Sequence, residues 1–246
     1  MYHWVTDMNA DVGEGIGNEA ELMPYLSSCN IACGGHAGDD ESMEMVIRLA
    51  KQHKVKIGAH PSYPDPENFG RKDMDIPCAA LYSSIKGQIK ALMRILRQER
   101  AQLHHIKPHG ALYNRAAVDC DTATIILEAI KSIPMPVKLY VPFGSVIARQ
   151  AQEEGIRITY EAFADRNYRD DLTLVPRSES NALITDLDEM AEHVLTMIKR
   201  GVVRTINGNE IEIQAQTFCV HGDNPKALKL LKGLRQILDD QQVKIR

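Results

Sequence analysis

The sequence predicts an α/β fold in which a parallel sheet closes into a seven-stranded β/α barrel, and three observations predict it. About seven short apolar segments of strand type alternate with amphipathic helical segments along the 246 residues, the order expected of a parallel sheet. No repeat, linker or low-complexity tract interrupts them, so a single domain over residues 1–246 is expected. Nearly every strand segment ends in His, Lys, Asp or Arg. An open sheet gathers its ligand groups at one switch point, whereas a barrel rings one pocket with all its strand ends.

Val5 to Val12 reads as the first strand, with Asp7, Asn9 and Asp11 alternating with apolar residues and sharing one face. Carboxylates on such a face must be paired, hydrogen-bonded or metal-bound, which singles out Asp11 and Asp7. Gly13, Gly15 and Gly17 let the chain turn close to a ligand, but they do not make a dinucleotide fingerprint. The run from Asn30 carries His36 and Asp39 between glycines; Asp39 or Asp40 then caps a helix bearing Met43, Val46, Ile47 and Ala50. Val55 to Ala59 leads to His60 and a loop stiffened by Pro61, Pro64 and Pro66, which also holds Arg71. A long helix from Pro77 to Gln98 follows, with Leu81, Ile85, Ile89, Leu92 and Leu96 in one stripe.

The fourth strand delivers Lys107 and His109, and Asp121 starts the next helix. Leu139 to Val141 is a short strand before a helix at Gly144, and Ile156 to Ala162 brings Asp165 and Arg166 into a polar loop reaching Arg177. Asp186 or Asp188 begins a helix with Met190, Val194, Leu195 and Ile198. Asn207-Gly208-Asn209 between Val202 to Ile206 and Ile211 to Ile213 signals a hairpin, a small insertion at about 202–214. Thr217 to Val220 is the last strand, ending at His221-Gly222-Asp223; Asn224 and Pro225 cap a final helix with Leu228, Leu231, Leu234 and Leu238.

Composition narrows the function. A net charge of −4 without a basic run argues against nucleic acid or an anionic membrane as the main partner and points to a small molecule. Five cysteines without a C-x-x-C pair, no apolar stretch long enough to span a bilayer, and a start without a leader pattern predict a cytoplasmic protein.

Each candidate has an ordinary alternative. His36, His60, His109 and His221 could each be loop histidines satisfied by backbone, but four at successive strand tips imply a shared pocket. Lys107 holds an oxyanion or phosphate, or else reaches solvent. Arg177 or Arg71 clamps a carboxylate, or is a plain surface charge. Asp165 orients a base, or pairs with Arg166 or Arg177. Cys33 and Cys219 read as core residues. A carboxylate and two imidazoles make a sound catalytic zinc set, here Asp11, His60 and His109; with no H-E-x-x-H motif in the chain, it would be assembled across strands, and a bound metal is neither required nor excluded by the sequence.

Asp7 to Glu14, Asn30 to Asp39, Gly58 to Asp65, Lys107 to Asn114, Phe163 to Arg166, Leu174 to Ser178 and Cys219 to Asp223, in this order, resemble the LamB/YcsF family. Ser62 stands where many members have glycine, and the segment after Glu14 is shorter than usual. The resemblance implies a seven-stranded β/α barrel of the glycoside hydrolase/deacetylase type. It further implies a 5-oxoprolinase activity, opening the lactam 5-oxoproline to L-glutamate with hydrolysis of ATP as co-substrate, together with Mg2+, in a complex with two partner subunits. The chain has no G-x-x-x-x-G-K-[ST] loop, so a partner is expected to help with ATP. On this reading Asp11, His60, Lys107 and His109 are catalytic. Asn9, His36, Arg71, Asp165, Arg177 and His221 bind the lactam or its phosphorylated form. The alternatives are a stand-alone metal-dependent deacetylase or amidohydrolase, and a non-catalytic lactam-binding subunit.

Overall fold

A computed structural model describes residues 2–222 and 226–246. Its strands are β1 (Trp4–Val12), β2 (Ser28–Ala32), β3 (Lys56–His60), β4 (Leu103–Ile106), β5 (Lys138–Pro142), β6 (Ile158–Phe163), β7 (Val202–Arg204), β8 (Glu210–Glu212), β9 (Thr217–Cys219) and β10 (Val243–Ile245). Its helices are α1 (Glu19–Leu22), α2 (Asp40–His53), α3 (Cys78–Gln98), α4 (Gly110–Val118), α5 (Cys120–Lys131), α6 (Val146–Glu153), α7 (Leu187–Arg200) and α8 (Ala227–Asp240). Strands β1 to β6 and β9 run parallel in that order, and β9 pairs back onto β1, so seven strands close into a barrel. Strands β7 and β8 form the separate antiparallel hairpin around Asn207-Gly208-Asn209.

Outside the barrel the helices cover the strands through apolar stripes. In α3, Leu81, Ile85, Ile89, Leu92 and Leu96 are all buried, and each such side chain stabilises by about 1.5–3 kcal/mol. Helix starts follow local chemistry. The Asp39 carboxylate accepts from Ser42 N at 2.8 Å while Ser42 Oγ accepts from Asp39 N at 2.8 Å, a reciprocal cap on α2. Asp186 caps α7 through the backbone of Asp188 and Glu189. Asp39 is therefore a capping residue on the surface, not part of a pocket.

Two elements differ from expectation. The helix expected from Asp121 is α5, starting one residue earlier at Cys120, but an unexpected helix, α4, precedes it; Asp119, in extended backbone, separates the two and caps α5 by accepting from Thr122. β10 adds an eighth parallel strand beside Trp4, Val5 and Thr6, outside the closed ring; three residues after a helix carry too little pattern to be read. The expected cap at Asn224 and Pro225, like Asp223, lies outside the described residues.

The barrel interior is polar. Along β1, Asp7, Asn9 and Asp11 point inward at three levels, while Met8, Ala10 and Val12 pack into the apolar layer. At the lowest level Asp7 accepts from Ser28 and Thr217, each at 2.7 Å, and pairs with Lys56 at 3.0 Å. Asp7 is thus a structural anchor far down the strand from the site. At the middle level Asn9 donates to Glu161 at 2.9 Å and to Thr217 at 2.8 Å, and accepts from Asn30 at 2.8 Å. Asn30 in turn contacts His105 Nε2 at 2.7 Å, and the His105 ring stacks on Tyr140. Gly58 leaves the room for that ring: a Cβ there would lie 2.2 Å from His105 Nε2.

Candidate functional site

Every side chain of the upper level sits at or just beyond the C-terminal end of a strand, the end where β/α barrels hold their sites. A cavity of about 790 Å3 opens there, lined by Asp11, Glu14, His60, Lys107, His109 and Glu161 below, with Arg71, Arg166, Arg177 and His221 around it. Its outer wall is formed by the loops at 142–146 and 171–178.

Lys107 is the centre of charge. Its ammonium is 2% exposed and lies 3.0 Å from Asp11 Oδ1, 2.9 Å from Glu161 Oε1 and 3.1 Å from Cys219 Sγ. Burial by itself would discharge the amine, but the Asp11 carboxylate, the Cys219 sulfur and Glu161 outweigh it and hold its pKa well above the ordinary lysine value. Burial equally opposes ionisation of Asp11, yet His60 and Lys107 keep its carboxyl well below the usual range. Glu161 and Tyr113 both line the cavity; Glu161 Oε2 and the Tyr113 hydroxyl make no hydrogen bond of good geometry, and burial first, then the Glu161 carboxylate, raise the Tyr113 pKa well above its ordinary value. Cys219 is buried as expected, but it also touches Lys107, and burial pushes its thiol pKa well up.

The histidines fall into two groups. His60 Nδ1–H donates to the Lys107 carbonyl at 2.7 Å, and His109 Nε2–H donates to the Phe69 carbonyl at 3.0 Å. A carbonyl only accepts, so both tautomers are fixed. The remaining nitrogens, His60 Nε2 and His109 Nδ1, face one another at 2.9 Å. Asp11 Oδ2 lies 3.3 Å from His60 Nε2, and Glu14 Oε1 lies 3.4 Å from His109 Nδ1. His36 stacks flat on His109 and reaches Glu14 Oε1 through Nε2 at 2.9 Å. Burial lowers the pKa of both His36 and His109. Gly110 permits this approach: it has φ +53°, and a Cβ there would lie 2.6 Å from the carbonyl oxygen of Gly70 in the His109-bearing wall.

His221 stands apart. Its ring nitrogen Nδ1 lies 2.9 Å from Asp165 Oδ1, its backbone N–H donates to Asp165 Oδ2 at 3.0 Å, and the ring stacks on Phe163. Asp165 is buried, which by itself would raise its pKa, but the His221 ring and backbone N–H together with the Arg177 charge bring it below the ordinary carboxylate value.

The structure thus brings Asp11, His60, Lys107 and His109 together on one wall, with Arg71, Arg177 and His221 facing the same space. Three residues expected to touch substrate lie behind that wall instead. Asn9 is fully buried beneath Glu161, His36 sits behind Glu14 and His109, and Asp165 is screened by His221. Sequence reasoning missed Glu161 and Glu14. Glu161 has a signal, the period-two spacing that places it inward with Phe163; Glu14 sits in a glycine loop and has none beyond its place in a motif.

The LamB/YcsF family matches residues 6–246. The chain is 43% identical over 244 residues to a 5-oxoprolinase subunit of Pyrococcus abyssi, covering 97% of this chain and 96% of that one. Among solved structures, the lactam utilization protein of Thermus thermophilus superposes with a TM-score of 0.91 at 38% identity, covering 98% of each chain. A family 4 carbohydrate esterase from Streptomyces lividans, 10% identical, superposes with a TM-score of 0.51 over 100% of this chain and 93% of that one, a likeness of fold.

Proposed function

The chain belongs to the LamB/YcsF family, and from that membership and the cavity we propose that it opens the lactam ring of 5-oxoproline to L-glutamate, as one component of an ATP-dependent 5-oxoprolinase. The observation that carries the reading is the juxtaposition, on one wall of one cavity, of a buried ammonium, a carboxylate and imidazoles of fixed tautomer beneath arginines. A small lactam bearing a carboxylate needs those groups. The names of the similar proteins, a 5-oxoprolinase subunit and a lactam utilization protein, support the same substrate.

Arg177 or Arg71 binds the substrate carboxylate at the rim, which turns the ring amide toward Lys107. The Lys107–Cys219 contact at 3.1 Å is the weakest of its three, because a thiol is a poor acceptor. A developing oxyanion replaces it, while Asp11 and Glu161 keep the ammonium in place. Asp11 takes a proton from water as its oxygen adds to the carbonyl carbon, or to the carbon of the phosphorylated lactam, with His60 beside it at 3.3 Å. The carbon–nitrogen bond then breaks and the ring nitrogen takes up a proton, a step suited to His221, which Asp165 orients. On the phosphorylated route the ring opens to an acyl phosphate of glutamate, which a second water hydrolyses to glutamate and phosphate, so that lactam, ATP and two waters become glutamate, ADP and phosphate, with Mg2+ on the nucleotide and partner subunits completing its site.

Reconstitution with the two partner subunits, following glutamate release from 5-oxoproline with and without ATP, tests this. We expect ATP-dependent turnover that Asp11→Asn and Lys107→Met each lower by at least two orders of magnitude. Full turnover in both variants refutes the site. Amide hydrolysis by the chain alone, lost with a chelator, would instead make it a stand-alone metal-dependent amidohydrolase.

A further inference from the structure

The Glu14 side chain is 6% exposed, at the cavity floor, and its ion-pair neighbours, among the described residues, are imidazoles alone: His36 at 2.9 Å, His109 at 3.4 Å and His60 at 4.0 Å. Asp11, at the end of β1, has its charge matched by Lys107. A desolvated anion without a fixed cation is costly, so the cluster around Glu14 calls for a positive charge.

The two inner histidines call for one as well. His60 and His109 each use one nitrogen to donate to a backbone carbonyl, and their other nitrogens meet at 2.9 Å with the rings 84° apart. As neutral rings they would press two lone pairs together. Only a cation between them, a shared proton or a metal ion, makes that contact attractive. Backbone carbonyls behind the outer N–H groups are also the usual support of metal-binding histidines.

We propose that the cavity floor binds one divalent first-row transition metal ion through His60 Nε2, His109 Nδ1 and the Glu14 carboxylate. The three donor atoms are 2.9, 3.4 and 4.0 Å apart. Bonds of 2.0–2.1 Å in a tetrahedral set separate ligand atoms by about 3.3 Å, so small side-chain shifts complete the site. Two nitrogens and one oxygen suit zinc, iron(II) or cobalt better than magnesium or calcium. The set differs from Asp11, His60 and His109, the one expected from the sequence, by exchanging one carboxylate for another.

His36 is not a ligand in this set, although its nitrogen lies within 4.8 Å of the other donors. Its ring is parallel to that of His109, with centroids 3.6 Å apart and planes at 2°. An ion in the plane of one ring lies a full stacking distance out of the plane of the other, where the second lone pair does not point. His36 instead donates Nε2–H to Glu14 Oε1 and fixes that carboxylate from behind. Glu14, His60 and His109 line the cavity and His36 does not, which leaves a coordination position open to the substrate space. An ion there would supply Lewis acidity beside Lys107. The inference holds whichever substrate the cavity takes.

The test needs no activity. The chelator-treated chain is titrated with Zn2+ by calorimetry and with Co2+ by visible absorption, and metal content is measured by mass spectrometry. We expect one equivalent per chain and an intense visible Co2+ band typical of low coordination number. Glu14→Gln and His109→Ala abolish stoichiometric binding, with folding checked by circular dichroism; the near-isosteric Glu14→Gln serves should His109→Ala not fold. His36→Ala weakens binding about 10–100-fold but keeps the stoichiometry. A folded chain that takes up neither ion, its histidine pair holding a proton instead, overturns the proposal. So does Glu14→Gln with wild-type affinity.

Discussion

Replacing Lys107 by methionine tests the central electrostatic claim. The ammonium lies 3.0 Å from Asp11 and 2.9 Å from Glu161 and is 2% exposed. Its removal strands two buried carboxylates with no cation between them. Breaking a buried ion pair from one side costs about 3–5 kcal/mol. In a chain of this size each kcal/mol lowers Tm by about 2–4 °C, so the variant should melt about 6–20 °C below the parent. Glu161→Gln keeps the Asp11–Lys107 pair and a carbonyl oxygen for Asn9, and should lower Tm by less than about 4 °C. The double variant strands one carboxylate fewer and should melt above Lys107→Met, a non-additivity that a double-mutant cycle measures. Thermal unfolding of the purified chains by circular dichroism reads all three. Lys107→Met melting within about 2 °C of the parent, or a double variant no more stable than Lys107→Met, would refute the buried triad.

Gly58→Ala puts a methyl 2.2 Å from the His105 ring; the overpacking should cost about 1–3 kcal/mol, measured as a lower urea midpoint. Asp39→Ala removes the cap of α2 and should cost about 0.5–2 kcal/mol by the same assay while kcat/KM stays at the parent value. Arg177→Ala should raise KM for 5-oxoproline in the reconstituted complex, by about 10–150-fold if one charge-assisted contact of 1.5–3 kcal/mol is lost; steady-state kinetics with unchanged KM would move the carboxylate clamp to another residue. The carboxyl of Asp165 has a folded pKa below its unfolded one. Its contribution is therefore complete above the ordinary aspartate value of about 3.9 and is lost as pH falls further toward the folded value. The stability gap between the parent and Asp165→Asn should accordingly be constant above about pH 5 and shrink below about pH 4, as chemical unfolding at a series of pH values would show.

The fold was legible because its signals are local. Alternating apolar strands and striped helices need no tertiary information, and the Asn207-Gly208-Asn209 turn is read from three residues. Failures came where a local signal was cut short. Gly110 and Asp119 confine α4 to nine residues whose apolar stripe is weak, and β10 is three residues long. The first strand shows a subtler limit. Asp7 and Asp11 share one face and one residue type, but four residues at 3.3 Å each separate them by about 13 Å. Closure of the barrel places Asp7 among Ser28, Thr217 and Lys56, and Asp11 beside Lys107 and His60. Period two says which way a side chain points, and only the ring of strands says what it meets.

The site residues divide in the same way. His60, Lys107 and His109 announce themselves because imidazole and ammonium at apolar strand tips are chemically out of place. Glutamate in a loop with Gly13 and Gly15 is not out of place, since such a loop is normally solvated. Glu14 becomes unusual only when His36, His60 and His109, from three other strand ends, enclose it and no lysine or arginine among the described residues comes within ion-pair distance. His36 moves the opposite way: conspicuous between glycines in the sequence, it is turned from the cavity by its stack on His109 and acts through Glu14. A residue's chemistry is set by the charge it finds after closure, so an ordinary glutamate can be a site's unmatched anion while a conspicuous histidine serves as its support.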